Sequence, residues 1–362
     1  MPQDVEFTMP VESRVSPELD RARRRHLDWV QASGLVTGDE ALHRYEASRV
    51  ADSAAYGFPE AVGADLDLCF DLLGWLFLFD ARFDPRSDAR PGTPSDPPCD
   101  TPNRRTDAAI AVCQDLVGLL RWPKPPAAPA RPVVAAFADC WRRMGRGRSE
   151  EWRRRTAHDW VDYLAGWPTR IADRAHGVPP DPAAHLRARR RTIGVRPLLA
   201  LAERVGDFEV PLLAWHSTHL EGMRIAACDA VVAMNEIHSL EKDEARGFPN
   251  LVPSLVHHRG LSRAEAVRQV CGTVERSVAS FVELRAGLPQ LEQALGAGRM
   301  PELARYADAH AAWIRGYHDW GRAAPRYTAP AGPENLGPEN LGPEHLGPEH
   351  LGPENLAAPQ PN

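Results

Sequence analysis

Residues 235–243 read NEIHSLEKD and place three oxygen-bearing side chains four residues apart: Asn235, Ser239 and Asp243. Positions i, i+4 and i+8 of an α-helix differ by only about 40° per step, so these side chains form one stripe. The preceding stretch, IAACDAVVAM, is apolar and predicts a buried helix. Amide, hydroxyl and carboxylate oxygens suit a hard divalent cation such as Mg²⁺. One carboxylate is too few to hold the ion, so other anions must complete such a site. The alternative is that the stripe is only the solvated end of a helix.

A second pair of oxygen ligands follows another apolar stretch. In GWLFLFDARFDP (74–85), Asp80 and Asp84 lie four residues apart at the C-terminal end of a predicted helix. An aspartate directly after LFLF is poorly placed for a surface role. Two apolar helices that each end in oxygen ligands would form the opposed walls of a metal site. Alternatively, this is an ordinary helix end that enters a proline-rich loop.

A dense group of arginines lies in HLRARRRTIG (185–194), where Arg187, Arg189, Arg190 and Arg191 precede Thr192-Ile193-Gly194. The planar fork of arginine matches the oxygens of a phosphate group. A solvated basic helix face is the alternative for at least two of the four. A further pair, Arg326-Tyr327, stands near the end of the helix-rich part and is uninformative by itself.

The elements that must position these residues are predicted to be helices. Several stretches have apolar residues at helical spacing, and no stretch alternates in the manner of a strand. The first helix is expected to begin at Ser16 as its N-cap, with Pro17 at the first helical position. Two proline-rich breaks, 86–105 and 122–132, interrupt the pattern. The fold class is therefore predicted to be all-α.

The C-terminal residues have a different composition from the rest. A five-residue unit, GPENL or GPEHL, is repeated five times over residues 332–356. Its proline prevents a continuous helix, and one leucine per unit cannot build a core. We expect one catalytic domain over residues 1–330 and a disordered tail over 331–362.

Composition excludes several classes of protein. The 362 residues have a formal net charge of −6, so no basic excess points to nucleic acid. No apolar run approaches the roughly 18 to 20 residues that cross a bilayer. The six cysteines include no CxxC pair, which fits a reducing compartment, and the polar start MPQDVEFTMPVES does not resemble a signal peptide. A cytoplasmic protein without a membrane or nucleic-acid partner is expected.

Taken together, these motifs resemble those of the bacterial class I terpene synthases. DARFD is similar to the aspartate-rich motif DDxxD of that family, and NEIHSLEKD is similar to its second metal-binding triad. Arg189 precedes Asn235 by 46 residues (235 − 189), as the diphosphate-sensing arginine of the family precedes its triad. The terminal Arg-Tyr pair matches as well. Some stretches resemble the bacterial linalool/nerolidol synthases, and others resemble pentalenene synthase.

The resemblance implies an α-helical bundle around a central apolar cavity and a role for each matching residue. The residues implied to bind metal, with three Mg²⁺ ions, are Asp80, Asp84, Asn235, Ser239 and Asp243. The residues implied to bind the diphosphate are Arg189, Lys242, Arg246, Arg326 and Tyr327. The helix break at Ile193-Gly194 would aim a backbone carbonyl at the ionising allyl group, with Thr192 linking it to Arg189. Candidates for the cavity wall are Phe77, Phe79, Trp313 and Trp320, for which plain core packing is the alternative.

The implied activity is Mg²⁺-dependent ionisation of a linear prenyl diphosphate to a terpene and diphosphate. We favour farnesyl diphosphate as the substrate, with geranyl diphosphate as the alternative. The product would be a hydrocarbon or an alcohol, either of the linalool/nerolidol type or a cyclic sesquiterpene. Homodimers are common in the family, and one is possible here.

Two residues depart from the family pattern. Ala81 stands where the second aspartate of DDxxD is usual, and Asp243 stands where a glutamate usually ends the triad. We expect activity with weaker Mg²⁺ binding and looser closure, which would admit water and favour early capture of the cation as an alcohol. A catalytically impaired relative is one alternative. A chain-elongating prenyltransferase is another, although such enzymes normally carry two DDxxD motifs.

Overall fold

A computed structural model describes residues 5, 7–83, 101–121, 131–175, 178–296 and 298–328, without the side chains of 101–106, 173–175, 246 and 328. These residues form helices and no β-strand. The helices are α1 (Leu19–Ala32), α2 (Asp39–Ser48), α3 (Ser53–Gly57), α4 (Gly63–Ala81), α5 (Thr101–Arg121), α6 (Pro132–Met144), α7 (Glu150–Ala175), α8 (Pro182–Thr192), α9 (Val195–Gly206), α10 (Leu212–Trp215), α11 (Thr218–His238), α12 (Leu240–Arg246), α13 (Leu251–Arg259), α14 (Arg263–Ala286), α15 (Leu288–Ala294), α16 (Pro301–Ala323) and α17 (Pro325–Thr328). The prediction of an all-α fold is confirmed.

Helix α4 lies inside the bundle, and from Leu72 to Phe79 it is apolar on all sides. Nearly every residue from Leu66 to Phe79 is buried, and the helix packs against α1, α3, α6 and α9. A helix without a polar face is stable only when neighbours cover it all round. This position brings the last turn of α4, which carries the half-buried Asp80, to the interior of the bundle.

Helices α11 and α16 form the other side of the interior. α11 packs against α14, α16, α8 and α9, and α16 also packs against α3. The contact between α3 and α16 depends on glycine at both ends. A Cβ at Gly57 would overlap the ring of Trp313, and a Cβ at Gly316 would overlap the backbone of Tyr56. Glycine at these two positions therefore permits the close approach of α3 and α16.

The first helix begins later than the sequence predicted. α1 starts at Leu19, after Glu18, and not next to Ser16. The Ser16 hydroxyl accepts a long hydrogen bond of 3.4 Å from the N–H of Glu18, and it donates a shorter one of 2.8 Å to the carbonyl of Ala61. Because this bond joins two distant segments, it could not be read from local sequence signals. By contrast, α8 has a regular start, where the Asp181 carboxylate accepts hydrogen bonds from the backbone N–H groups of Ala183 and Ala184.

Among the described residues, no helix combines the length and the apolar character that a membrane span requires. The repeat tail, predicted to be disordered, lies outside the described residues, as do most of the two proline-rich breaks.

Candidate active site

A cavity lies between α4, α7, α8, α11, α12 and α16, with further wall residues from α3, α9 and α17. Its two ends differ in chemistry. One end carries carboxylate, amide, hydroxyl and basic side chains, among them Asp80, Arg189 and Asn235. The other end is lined mainly by aliphatic and aromatic side chains. These are Leu73, Leu76, Phe77, Val195, Leu198, Val231, Trp313 and Trp320.

Asp80 reaches the polar end from the last turn of α4. It accepts a hydrogen bond from the hydroxyl of Tyr163 on α7. Burial raises the pKa of Asp80 to about 7, although this hydrogen bond and the nearby arginines act in the opposite direction. A bound cation would favour the ionised form of this carboxylate. Asp84, its predicted companion, lies outside the described residues.

The polar row on the opposite wall crosses a junction between two helices. α11 ends at His238 and α12 begins at Leu240, so Ser239 stands at the break. Backbone hydrogen bonds of 2.8 Å nevertheless run from Ser239 N–H to Asn235 and from Asp243 N–H to Ser239. The spacing of four is therefore preserved across the break, and all three side chains line the cavity.

Hydrogen bonds order the end of this row. Asp243 Oδ2 accepts one from the Ser239 hydroxyl at 2.6 Å and one from Asn250 Nδ2 at 3.0 Å. Asn250 Nδ2 also donates to the carbonyl of Glu236 at 2.9 Å. Burial raises the pKa of Asp243, while Lys242 and these two hydrogen bonds oppose the rise. The Asp243 side chain, which is shorter than the glutamate usual at this position, is thus held in one orientation by two hydrogen-bond donors.

Arg189 is fixed by contacts to α11. Its Nε donates to Glu236 Oε1 at 2.6 Å, and its Nη2 donates to Asn235 Oδ1. Glu236 Oε2 lies 2.9 Å from His185 Nε2 and accepts from the N–H of Leu251 at 2.6 Å. Burial alone would raise the pKa of Glu236, but His185 and Arg189 outweigh it and lower the pKa to about 2. An ionised glutamate therefore orients the arginine, as a planar guanidinium requires.

The predicted helix break falls between α8 and α9, at Ile193 and Gly194. Gly194 has φ +78°, a conformation that side chains with a Cβ rarely adopt. A Cβ here would also lie 2.7 Å from Cδ1 of Leu76, which lines the cavity. Thr192 is buried, and its hydroxyl donates to the carbonyl of Ala188 at 3.1 Å. The break thus brings backbone, and not only side chains, to the cavity wall.

The other predicted diphosphate ligands are distributed as follows. Lys242, Arg326 and Tyr327 line the cavity, and the Arg326 guanidinium carbon lies 5.2 Å from the centre of the Phe77 ring. Asn235 Nδ2 donates to the hydroxyl of Tyr327 at 3.1 Å. The side chain of Arg246 lies outside the described residues.

Three of the four predicted aromatic wall residues line the cavity: Phe77, Trp313 and Trp320. Phe79 is not among the lining residues. It is fully buried and packs against other rings, including Trp75 at 5.0 Å and Tyr163 at 5.9 Å. Phe77 and Phe79 are two positions apart on a helix and point about 160° away from each other, so they cannot share one wall. The expectation for Phe79 is corrected to core packing.

Sequence reasoning missed several residues that the fold brings to the site. They are Tyr163, Arg170, Glu236, Asn250 and Tyr317. Arg170 follows Pro168 within α7 and lines the cavity. Burial and the neighbouring Arg189 lower the pKa of Arg170 to about 10. No signal in its surroundings, GWPTRIADR, distinguishes it from a surface arginine.

The side-chain atoms at the polar end that could bind a metal ion are oxygens, which Mg²⁺ and similar hard cations prefer as ligands. Within the described ranges, no cluster of three or more His, Cys, Asp or Glu side chains could hold a metal ion by itself. A cation bound between Asp80 and the Asn235 row would therefore need further ligands from a bound anion. The surrounding basic residues would attract such an anion, and phosphate groups satisfy both requirements.

Comparison with known proteins agrees with this chemistry. Residues 71–280 match the family model described as terpene synthase family 2, C-terminal metal binding. R-linalool synthase of Streptomyces clavuligerus is 58% identical over 334 residues, which cover 92% of this chain and 96% of that protein. Pentalenene synthase of Streptomyces avermitilis is 39% identical over 334 residues, which cover 91% and 94%.

Solved structures give the same result for the fold. The crystal structure of linalool/nerolidol synthase from Streptomyces clavuligerus has a TM-score of 0.79 at 57% identity, covering 87% of this chain and 100% of that one. The same enzyme in complex with 2-fluorogeranyl diphosphate has a TM-score of 0.78 at 58% identity, covering 85% and 100%. The chain belongs to the terpene synthase family and is a class I terpene synthase with the α-helical fold of that family.

Proposed function

We propose that the chain ionises geranyl or farnesyl diphosphate in a Mg²⁺-dependent reaction and releases diphosphate with a terpene alcohol or hydrocarbon. The observation that carries the proposal is one cavity with a polar end, where carboxylate, amide, hydroxyl and basic side chains lie, and an apolar end. Asp80 and the Asn235–Ser239–Asp243 row meet at the first end, and aromatic side chains line the second. Similarity to R-linalool synthase and to pentalenene synthase supports a substrate of this class.

The proposal of a Mg²⁺ site rests on the oxygen-bearing side chains that line the polar end of the cavity. Asp80, Asn235, Ser239 and Asp243 would hold Mg²⁺, with Asp84 as a further candidate and three ions as the expected number. The raised pKa of Asp80 supports this assignment, because a buried carboxylate without a bound cation keeps its proton more tightly. When bound, Mg²⁺ supplies positive charge that stabilises the leaving diphosphate.

The basic residues of the polar end would hold the diphosphate itself. Arg189 is already oriented by Glu236, so little conformational entropy is lost when it binds. Lys242, Arg326 and the hydroxyl of Tyr327 line the same end, and Arg246 completes the expected set. We add Arg170, which lies beside Arg189 in the cavity wall. Preorganised cations favour the charge that develops on the leaving group.

The apolar end would bind the hydrocarbon chain and the allylic cation. Its aliphatic walls exclude bulk water, and aromatic faces attract a cation through the ring quadrupole. Phe77, Trp313 and Trp320 are the candidates for this interaction. The carbonyl of Ile193, at the break before Gly194, is proposed to face the ionising allyl group. The released diphosphate can accept the final proton, so no separate general base is required.

The test is incubation of the purified protein with Mg²⁺ and C10, C15 or C20 prenyl diphosphate, followed by gas chromatography–mass spectrometry. We expect a terpenoid from the C10 or C15 substrate that is lost with EDTA, with Asp80→Asn and with Asn235→Ala. A matched control is Asp207→Asn, since that aspartate is exposed and ion-paired with Arg148 away from the cavity. Absence of product from all three substrates would favour the catalytically impaired alternative. A longer prenyl diphosphate formed when isopentenyl diphosphate is added would favour a chain-elongating enzyme.

A further inference from the structure

The apolar end of the cavity contains a buried hydrogen-bond donor. Trp313 is 3% exposed and lines the cavity, and its Nε1 has no hydrogen-bond partner among the described residues. Buried polar groups are almost always paired, and leaving one unpaired is costly. A small polar molecule that accepts a hydrogen bond would therefore be stabilised here. Water is the smallest candidate.

The orientation of the Trp313 ring keeps this donor away from the helix interface. The Cε3–Cζ3 edge of the indole packs against Gly57, where an added Cβ would overlap it. Nε1 belongs to the opposite long edge of the ring. Trp320 provides a contrast, since it also lines the cavity but donates its Nε1–H to the carbonyl of Arg49 at 3.0 Å. Of these two indoles, Trp313 is the one with an N–H available to a ligand.

A matching acceptor lies on α3. Ser53 is 5% exposed, lines the same cavity and lies one helical turn from Gly57. Its hydroxyl donates a hydrogen bond of 2.8 Å to the carbonyl of Val50, so its proton is not available to a ligand. The oxygen lone pairs remain able to accept a hydrogen bond. Its cavity neighbours Leu73 and Leu76 are aliphatic, so an indole donor and a hydroxyl acceptor share an otherwise apolar end.

We infer that Trp313 Nε1 and Ser53 Oγ hold the water molecule that captures the allylic cation, an inference that rests on the proposed function. Trp313 lies one turn, about 6 Å, before Tyr317 on α16. The Tyr317 hydroxyl accepts a 2.7 Å hydrogen bond from Asn235, so this subsite borders the diphosphate end. The far allylic carbon, three bonds from the departing oxygen, is the carbon that this water would attack.

The step balances without any further reactant. The water oxygen donates an electron pair to the cationic carbon, and a C–O bond forms. The resulting oxonium group loses one proton to the released diphosphate. The sum is prenyl diphosphate plus water giving alcohol plus diphosphate, with no change of oxidation state. On this inference, the oxygen of an alcohol product comes from a water molecule held at this site. Random entry of bulk water through a loosely closed active site is then not needed to explain an alcohol.

The experiment compares the full-length protein with Trp313→Phe and Ser53→Ala in H₂¹⁸O. The readout is the ratio of ¹⁸O-labelled alcohol to hydrocarbon, which does not depend on the total rate. Each variant removes one hydrogen bond to the water, so we expect the ratio to fall about fivefold. The matched control is Ser48→Ala, which removes another buried hydroxyl that donates to a carbonyl three residues earlier, that of Tyr45, but does not line the cavity. Its ratio should stay within twofold of the wild type.

Three results would contradict this inference. An unchanged ratio in both variants, or an equal fall in Ser48→Ala, would overturn the water site while leaving the terpene synthase reaction intact. Alcohol oxygen that lacks ¹⁸O would also overturn it, because the oxygen would then come from diphosphate. Failure of the wild type to release diphosphate from any prenyl substrate would instead overturn the proposed function itself.

Discussion

The hydroxyl of Tyr163, on α7, donates a hydrogen bond to the carboxylate of Asp80, at the end of α4. This contact joins two helices at the point where the metal is proposed to bind. Because the carboxylate is buried, its pKa lies near 7, and the tyrosine acts to lower it. The ionised form of Asp80, which is the form proposed to bind the metal, is therefore dominant above about pH 7 and is lost as the pH falls.

We predict that the apparent affinity for Mg²⁺ weakens below pH 7, approaching about tenfold per pH unit as one proton competes with the ion. In Tyr163→Phe the carboxylate loses a donor, so its pKa rises and the midpoint moves to higher pH. The measurement is Mg²⁺ activation of diphosphate release between pH 5.5 and 9. Tyr306→Phe, which alters another fully buried tyrosine outside the cavity, is the control and should keep the wild-type midpoint. A midpoint unmoved by Tyr163→Phe would argue against the contact.

Arg170 is a half-buried arginine in the cavity wall. It lines the cavity and donates to the hydroxyl of Thr192 at 3.4 Å, and its guanidinium carbon lies 5.4 Å from the centre of the Trp167 ring. Within the part of the chain that the structure describes, no carboxylate forms an ion pair with it. Burial of a cation without a counter-ion costs stability, as its lowered pKa indicates.

We predict opposite effects of Arg170→Gln on activity and on stability. Removal of the unpaired cation should leave the free energy of unfolding unchanged or raise it, whereas kcat/KM should fall at least tenfold through loss of a diphosphate contact. Urea unfolding and steady-state kinetics provide the two readouts. Arg191→Gln is the control, since Arg191 pairs with Asp162 in a more exposed position. Loss of stability together with unchanged kinetics would assign Arg170 a structural role.

Two features of Gly194 disfavour a side chain: its backbone conformation and its close approach to Leu76. Comparison with another glycine that has only the first feature separates their effects. The φ of +78° at Gly194 penalises any side chain, and a Cβ would approach Leu76 in the cavity wall. Gly260 has a similar φ of +65°, but a Cβ there would meet no atom within 4 Å. Both Gly→Ala variants should lose about 1 kcal/mol of stability from backbone strain.

Only Gly194→Ala is expected to lose activity as well, because either the Leu76 side chain or the backbone next to Ile193 must move to relieve the overlap, and both residues line the cavity. Thermal unfolding and product formation from the preferred prenyl diphosphate provide the comparison. Equal activity in the two variants would show that the position of this backbone is unimportant for the reaction.

The sequence predicted the features that depend on local spacing. The interval of four between Asn235, Ser239 and Asp243 survives because i→i+4 backbone bonds continue across the break at Ser239. The break itself has no local signal. On α4, the position of Asp80 after an apolar run was informative, whereas the faces of Phe77 and Phe79 could not be told apart. A helix that is apolar on all sides has no stripe to indicate direction.

Contacts between distant segments explain what the sequence could not provide. Glu236 is adjacent to Asn235 in the motif, but its role depends on Arg189 and His185, about fifty residues away. Asn250 caps α13 and also reaches Asp243, so a residue that looks like an ordinary helix cap orders the polar row. Such roles follow from the packing of α8 and α13 against α11.

His310, in α16, should make the fold sensitive to acid. It is fully buried, lies 2.7 Å from the carbonyl of Tyr306 through Nδ1 and stacks near Phe281. Burial lowers the pKa of His310 to about 3, whereas an unfolded histidine titrates near 6.5. The folded state therefore holds the neutral ring at pH values where the unfolded chain binds a proton. Stability from this group is complete above pH 6.5 and is lost as the pH falls toward 3.

We predict that His310→Gln reduces the dependence of the free energy of unfolding on pH between 6 and 4 by up to about 1.4 kcal/mol per pH unit. The absolute stability of the variant can fall at every pH, so the slope is the quantity to compare. Urea unfolding at intervals of half a pH unit measures it. His257→Gln changes an exposed histidine and should keep the wild-type slope. If both variants keep that slope, the acid sensitivity must come from groups other than His310.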